Sequence, residues 1–307
     1  MFFQNAYIGR NGWWRWLITI AAVILVIFLA QAPLLGFMTA EAHRLGLTPE
    51  AFFARLPEGV DRNLFLALFL LPFAAAFLML WLCIRVLHRK SLRLVMTGRA
   101  RFDWRRAATG FVFWFAVLSV TIFAVLPAES YVYQFDPAKF WPLLLVALLM
   151  FPIQTTLEEV FFRGYLMQGI FLIARNKIVP LIVVTLAFLF VHYWNPEFSR
   201  EDGAGIIEYF LMSAFLGVIT VLDDGLELPC GIHAANNIFL AVILSTSDGS
   251  LQTNAIFETS LEAFGDNVLI LAVAPYVGGF VLLFAMYRWR LSTLFKRVPP
   301  PAAVAEQ

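Results

Sequence analysis

The chain has 307 residues, with 22 Lys and Arg against 21 Asp and Glu and a formal net charge of +1. Of these residues 61% are hydrophobic and only 14% charged, and the mean hydropathy is +0.79, whereas soluble domains carry about 25% charged residues. A soluble globular enzyme is excluded, and the near-zero net charge singles out no class of partner.

The apolar residues gather into runs close to the twenty or so that cross a bilayer of about 30 Å. Eight such runs predict an all-α polytopic membrane protein with spans near 17–38, 63–87, 108–126, 138–158, 178–194, 206–222, 229–246 and 267–287. Ahead of the first, Arg10 and Arg15 with Ala30, Gln31 and Ala32 resemble a signal peptide and its cleavage site. Apolar residues continue to Met38, so an uncleaved first span is expected, anchored at the interface by Trp13, Trp14 and Trp16. The segment from Thr39 to Arg62 mixes charges with Leu and Phe and is expected to form an amphipathic helix on the outer surface.

The connection from His88 to Arg106 holds seven basic residues. It is read as a juxtamembrane loop against anionic lipid, worth about 1 kcal/mol per charge, rather than as a nucleic-acid patch. With alternate loops on opposite sides, one side collects 15 basic residues and the other five. Cytoplasmic loops are enriched in Lys and Arg, which places both termini in the cytoplasm. Cys83 and Cys230 fall in or beside apolar spans and read as packing residues rather than a disulfide or metal framework. Asp223, Asp224 and Glu227 read as solvated charge at an inside connection, and the tail 291–307 as disordered.

Three charges stand where they are expensive. Glu158, Glu159 and Arg163 interrupt the apolar stretch from Leu143 to Ile173, and an ionisable group near the centre of a membrane helix costs roughly 2.5–3.5 kcal/mol on insertion scales. Positions i and i+4 share a helical face, so Glu159 is expected to pair with Arg163 while Glu158, about 100° away, faces elsewhere. A carboxylate in such a site is suited to act as a general base for water. The bland alternative is a structural ion pair between helices. Pro152, six residues before Glu158, is a candidate kink.

Of the four histidines, His192 and His233 lie in apolar segments. Phe188 precedes His192 by four residues and Asn237 follows His233 by four, so each pair shares a face. His233 and Asn237 together suit a carbonyl or an oxyanion. Glu158, His192 and His233 could alternatively form a catalytic shell for one divalent metal such as zinc, although no HExxH helix is present. The metal-free reading, with no cofactor, is preferred.

The combination of EEVFFR at 158–163, FLFVH at 188–192 and HAANN at 233–237 resembles the CPBP family. These are the CAAX protease and bacteriocin-processing (Abi) intramembrane endopeptidases, which include the type II CAAX prenyl proteases. The resemblance covers about 138–246 and implies an eight-helix protease with an intramembrane catalytic cavity. It implies Glu158 as the base, assisted by His192, with Glu159, Arg163, His233 and Asn237 completing the site. It divides the chain into an N-terminal three-span region at 1–137, a catalytic core at 138–246, a C-terminal span at 247–290 and the tail. Substrates would be membrane-associated or lipid-modified peptides or proteins, of the CAAX type or like bacteriocins and signal peptides, met in membrane lipid, most simply the bacterial inner membrane. Nothing in the residues selects among these substrates or sets the oligomeric state. A proton-coupled transporter is an alternative, though no paired repeat supports it, as is a catalytically silent scaffold or immunity factor on the same fold.

Overall fold

The computed structural model describes residues 1–48, 51–52, 56–199 and 203–301. Every expected span coincides with a helix. The first run becomes α1 (Trp13–Ala30) and α2 (Ala32–Leu45), and the second α3 (Arg62–Val86). A short α4 (Leu92–Met96) lies in the basic connection before α5 (Trp104–Val125). Next come α6 (Pro137–Glu158), a π-helical segment (Glu159–Leu166) and α7 (Met167–Ala174), which run on as one rod of 38 residues. The remaining helices are α8 (Ile178–Val191), α9 (Ala204–Asp223), α10 (Glu227–Val242) and α11 (Val268–Tyr287). Aspartates start three of them: the side chains of Asp61, Asp103 and Asp136 accept hydrogen bonds from the first backbone N–H groups of α3, α5 and α6, which otherwise lack helical partners.

Among the described residues six helical stretches are long and apolar enough to cross a membrane. The two expected spans that fall short are α8, with 14 residues, and α10, with 16. At 1.5 Å per residue they reach only about 21 and 24 Å. The reason for α10 is visible in its burial. Fourteen of its sixteen residues are buried, so it is sheathed by other helices and faces no lipid. Lipid-facing helices instead expose large apolar side chains, among them Phe28, Trp104, Val112, Leu145 and Phe190.

Helices α5 and α10 pack closely, and their approach depends on glycine. A Cβ on Gly231 would run into the carbonyl oxygen of Ala107, and one on Gly110 would lie 2.7 Å from the carbonyl oxygen of Leu228. Small residues let membrane helices approach backbone to backbone. A small sheet in the order β1-β3-β2 ties the far ends together. Strand β3 (Phe257–Thr259) pairs antiparallel with β1 (Val132–Tyr133) and parallel with β2 (Leu244–Thr246).

Several loop expectations are corrected. The acidic cluster is not solvated: Asp223 and Glu227 are buried and carry the basic connection. Arg99 reaches both, at 3.0 Å each, and Arg106 reaches Asp223 at 2.5 Å. Charge that must leave water is held only where opposite charge meets it, so this part of the basic loop is a clamp across the end of the bundle rather than a free surface for lipid. Phe2 and Phe3 of an N-terminal 3₁₀ turn are buried against α4 and α7, and the backbone N–H of Phe2 donates to Asp224 at 2.8 Å. Trp13 is exposed as an interfacial anchor would be, whereas the ring of Trp16 packs against Tyr165 and His88. Of the tail, Val298 is buried and the Lys177 ammonium donates to the Thr293 carbonyl; residues 302–307 lie outside the described residues. Between Thr39 and Arg62, Phe52, Leu56 and Val60 pack under α2 and α3, while Arg55 and Arg200 lie outside the described residues. Cys83 and Cys230 are free and buried.

Candidate active site

The site is assembled where α6 gives way to the π-helical segment. Glu158 is the last residue of α6 and Glu159 the first of the wider turn, seven residues beyond Pro152. π-Bulges occur preferentially at functional sites because an extra residue per turn re-aims side chains. Here Glu158, Glu159 and Arg163 are all buried.

Glu159 is held from two sides. Its Oε1 accepts from Arg163 Nη1 at 3.0 Å and from His233 Nδ1 at 2.7 Å. Arg163 extends past it, donating from Nη2 to Ser213 Oγ on α9 at 2.9 Å, with its guanidinium 4.3 Å from the centre of the Phe188 ring. The i,i+4 pair thus neutralises one carboxylate and joins the rod to α8, α9 and α10.

Glu158 sits differently. Its Oε1 accepts from Gln154 Nε2, one helical turn back, at 2.5 Å. Its Oε2 is buried without a hydrogen-bond partner and faces His233 Nε2 at 3.5 Å. His233 therefore stands between the two glutamates. A carboxylate can only accept, so Nδ1 carries a proton toward Glu159 and Nε2 is the nitrogen presented to Glu158.

His192 caps α8. Its Nδ1 donates to the Phe188 carbonyl at 2.8 Å, and its ring lies between those of Phe188 and Tyr209, with centroids at 4.3 and 4.8 Å. Because the carbonyl takes the Nδ1 proton, Nε2 is the free nitrogen. Phe188 also touches the His233 ring, at 6.1 Å, and so links the two imidazoles. Asn237 Nδ2 donates to Gln154 Oε1 at 2.9 Å. Glu158, Glu159, Arg163 and His233 thus meet directly, Asn237 joins them through Gln154, and His192 joins through Phe188.

Gln154, Asn236, Ser213 and Tyr209 were not singled out from the sequence. Gln154 had a legible signal, being a polar residue one turn before Glu158 in an apolar run, and Asn236 adjoins the HxxxN motif. Ser213 and Tyr209 lie on a different helix and had none.

Among the described residues no group of three or more His, Cys, Asp or Glu side chains is arranged to hold a metal ion. Of the trio considered for zinc, Glu158 and His233 converge, and His192, with Nδ1 held by the Phe188 carbonyl, keeps Nε2 available.

Residues 137–239 match the family model described as "Type II CAAX prenyl endopeptidase Rce1-like". That stretch is similar to an Rce1-like domain. It spans α6 to α10, and every residue from Gln154 to Asn237 named above lies within it. Over 168 residues the chain is 31% identical to the Bacillus subtilis (strain 168) "Uncharacterized protein YyaK". The match covers 54% of this chain and 56% of that relative, so the chain spans about half the length of the curated relative it matches. No solved structure matches. The apolar helices, together with this match, make the chain an integral membrane protein.

Proposed function

We propose that the chain is an intramembrane endopeptidase that hydrolyses a peptide bond in a membrane-associated or lipid-modified substrate, with Glu158 as the base that activates water. The observation that carries this reading is the pair of atoms left facing each other: Glu158 Oε2, buried and without a hydrogen bond, and His233 Nε2 at 3.5 Å. Such an orphaned acceptor is costly unless it has a task or a solvent partner, and a water seated beside it would be polarised from both sides.

In the reaction Glu158 Oε2 takes a proton as the water oxygen bonds to the scissile carbonyl carbon. The carbonyl oxygen becomes an oxyanion, stabilised by the second N–H of the Asn237 amide, while the unprotonated Nε2 of His192 serves as an acceptor for the attacking water. Collapse breaks the C–N bond, and the proton passes from Glu158 to the departing amine. Glu159 holds the His233 ring through Nδ1, as a carboxylate orients an imidazole in other hydrolases, and Arg163 offsets the second negative charge. The apolar setting lets the substrate be an acylated or prenylated segment presented from the bilayer, and the excess of basic residues on one set of loops supports cytoplasmic termini and a bacterial inner membrane.

The test is cleavage of a fluorogenic lipidated-peptide library by purified wild type, Glu158→Gln, His233→Ala and His192→Ala, each with and without chelator. We expect Glu158→Gln to lower kcat by about 10³ or more, since the base itself is lost, and cleavage to survive chelation. Activity retained in Glu158→Gln would refute the glutamate mechanism. Loss of wild-type cleavage on chelation would assign the activation of water to a metal.

A further inference from the structure

A line of amide side chains runs from the catalytic glutamate out of the Rce1-like stretch and into the bundle. The indole Nε1–H of Trp114 on α5 donates to Asn236 Oδ1 at 3.2 Å. Asn236 Nδ2 donates to Asn237 Oδ1 at 3.3 Å, Asn237 Nδ2 to Gln154 Oε1 at 2.9 Å, and Gln154 Nε2 to Glu158 Oε1 at 2.5 Å. Four hydrogen bonds follow head to tail across α5, α10 and α6.

The direction of this chain is forced by its ends. An indole nitrogen can only donate, and an ionised carboxylate can only accept. Reversing any one amide between them would set donor against donor at one neighbour and acceptor against acceptor at the other, inside a site where unmet polar groups are costly. Trp114 is itself packed on all sides: it is fully buried, with the rings of Phe215 and Tyr276 at 5.1 and 5.2 Å and Gly279 leaving room for its ring.

We propose that Trp114, Asn236 and Gln154 are positioning residues that form a unidirectional amide relay, presetting Glu158 and Asn237 for hydrolysis. The relay claims Oε1 of Glu158 and so leaves Oε2, the atom that faces His233, to take the proton. It also fixes the rotation of the Asn237 amide, leaving one of its two N–H bonds free for the substrate. The charged and titratable groups around Glu158 are Glu159 and Arg163 on its own rod, His233 on α10 and His192 on α8. None of these occupies Oε1, so among the described residues Gln154 is the one that orients that oxygen. Hydrogen bonds in series polarise one another, and a change at the carboxylate is therefore felt at the indole.

This inference rests on the proposed function for its catalytic meaning, and its test separates the two. The first arm needs no substrate: the indole ¹H–¹⁵N resonance of Trp114, assigned by its loss in Trp114→Phe, is recorded in detergent micelles for wild type, Glu158→Gln and Gln154→Leu. We expect it to move or split in both variants while the other indole signals stay in place, because the acceptor-only end is gone. A Trp114 signal identical in all three proteins would overturn the relay whatever the enzyme does.

The second arm is steady-state cleavage. Gln154→Leu is expected to lower kcat about ten- to a hundredfold with KM nearly unchanged, the size expected for loss of one hydrogen bond to a charged group. Trp114→Phe, which keeps the ring and removes only the N–H, should lower kcat severalfold in the same manner. A structural defect would also lower the apparent kcat at constant KM, so kcat is calculated on the folded fraction measured by circular dichroism; a kcat that this correction restores to the wild-type value would overturn the positioning role. Unaltered kcat in both variants would refute the positioning role. A coupled indole in a protein that cleaves nothing would uphold the relay and count against the protease reading.

Discussion

Removing Arg163 tests the electrostatic logic of the site most directly. Arg163 and Glu159 are both fully buried, and Arg163 makes hydrogen bonds to Glu159 and Ser213 and stacks on Phe188. In Arg163→Met the thioether still packs on the ring, which roughly offsets the lost cation–π contact. Glu159 then keeps only the His233 N–H. Breaking one side of a buried pair costs about 3–5 kcal/mol, because the other charge stays behind uncompensated. The hydrogen bond from His233 places this case at the lower end, about 3 kcal/mol.

The double variant Glu159→Gln with Arg163→Met has no stranded charge, and its amide oxygen still accepts from His233. We expect it to recover about 2 kcal/mol relative to the sum of the two single losses, a coupling typical of residues in one network. The assay is reversible unfolding in mixed detergent micelles, followed by helical circular dichroism. A loss below about 1 kcal/mol in Arg163→Met, or single losses that add within about 0.5 kcal/mol in the double variant, would refute the reasoning.

Two further outcomes follow from the structure. His88 donates from Nδ1 to the Arg10 carbonyl at 2.9 Å and meets the Tyr165 hydroxyl through Nε2 at 2.8 Å. Burial, together with the charges of Lys90 and Arg15, pushes its pKa from 6.5 down to about 4. Between those values the unfolded chain binds the proton and the folded one does not, so this stability is complete above pH 6.5 and is lost as pH falls toward 4. It amounts to at most about 3 kcal/mol, and about half that after solvent screening near the loop. Unfolding curves at pH 7.5 and 4.5 should converge less steeply for His88→Gln than for wild type, and parallel losses would count against this account. Gly231→Ala places a methyl group against the backbone of Ala107 and should cost about 1–3 kcal/mol by forcing α5 and α10 apart; a thermal midpoint equal to that of wild type would show that the crossing can yield.

The position of each helix was legible because the cost of apolar surface in water and of charge in lipid depends on composition alone. The Glu159–Arg163 pair was legible for a similar reason, since a four-residue interval on a helix is geometry that the chain carries locally. The lengths of α8 and α10 as true spans were not. An apolar run reads the same whether it faces lipid or other helices, and α10 is a core helix wrapped by protein.

The acidic and basic connections show the same limit. Asp223, Glu227, Arg99 and Arg106 each looked like solvated charge, because a sequence reports the cost of burying one ion and not the partner that offsets it. In the site, the residue types and their spacing were present from the start. Which imidazole faces Glu158, and the route from Gln154 through Asn237 and Asn236 to Trp114, depend on how α5, α6 and α10 cross. The sequence by itself determined that this is a helical membrane protein with three polar motifs in apolar segments, because helical periodicity and hydrophobicity act within a single stretch of chain. The tertiary structure alone decided which of those polar atoms meet, because hydrogen bonds between helices depend on the angle and depth at which their backbones pack, and here glycines at the α5–α10 crossing set that depth.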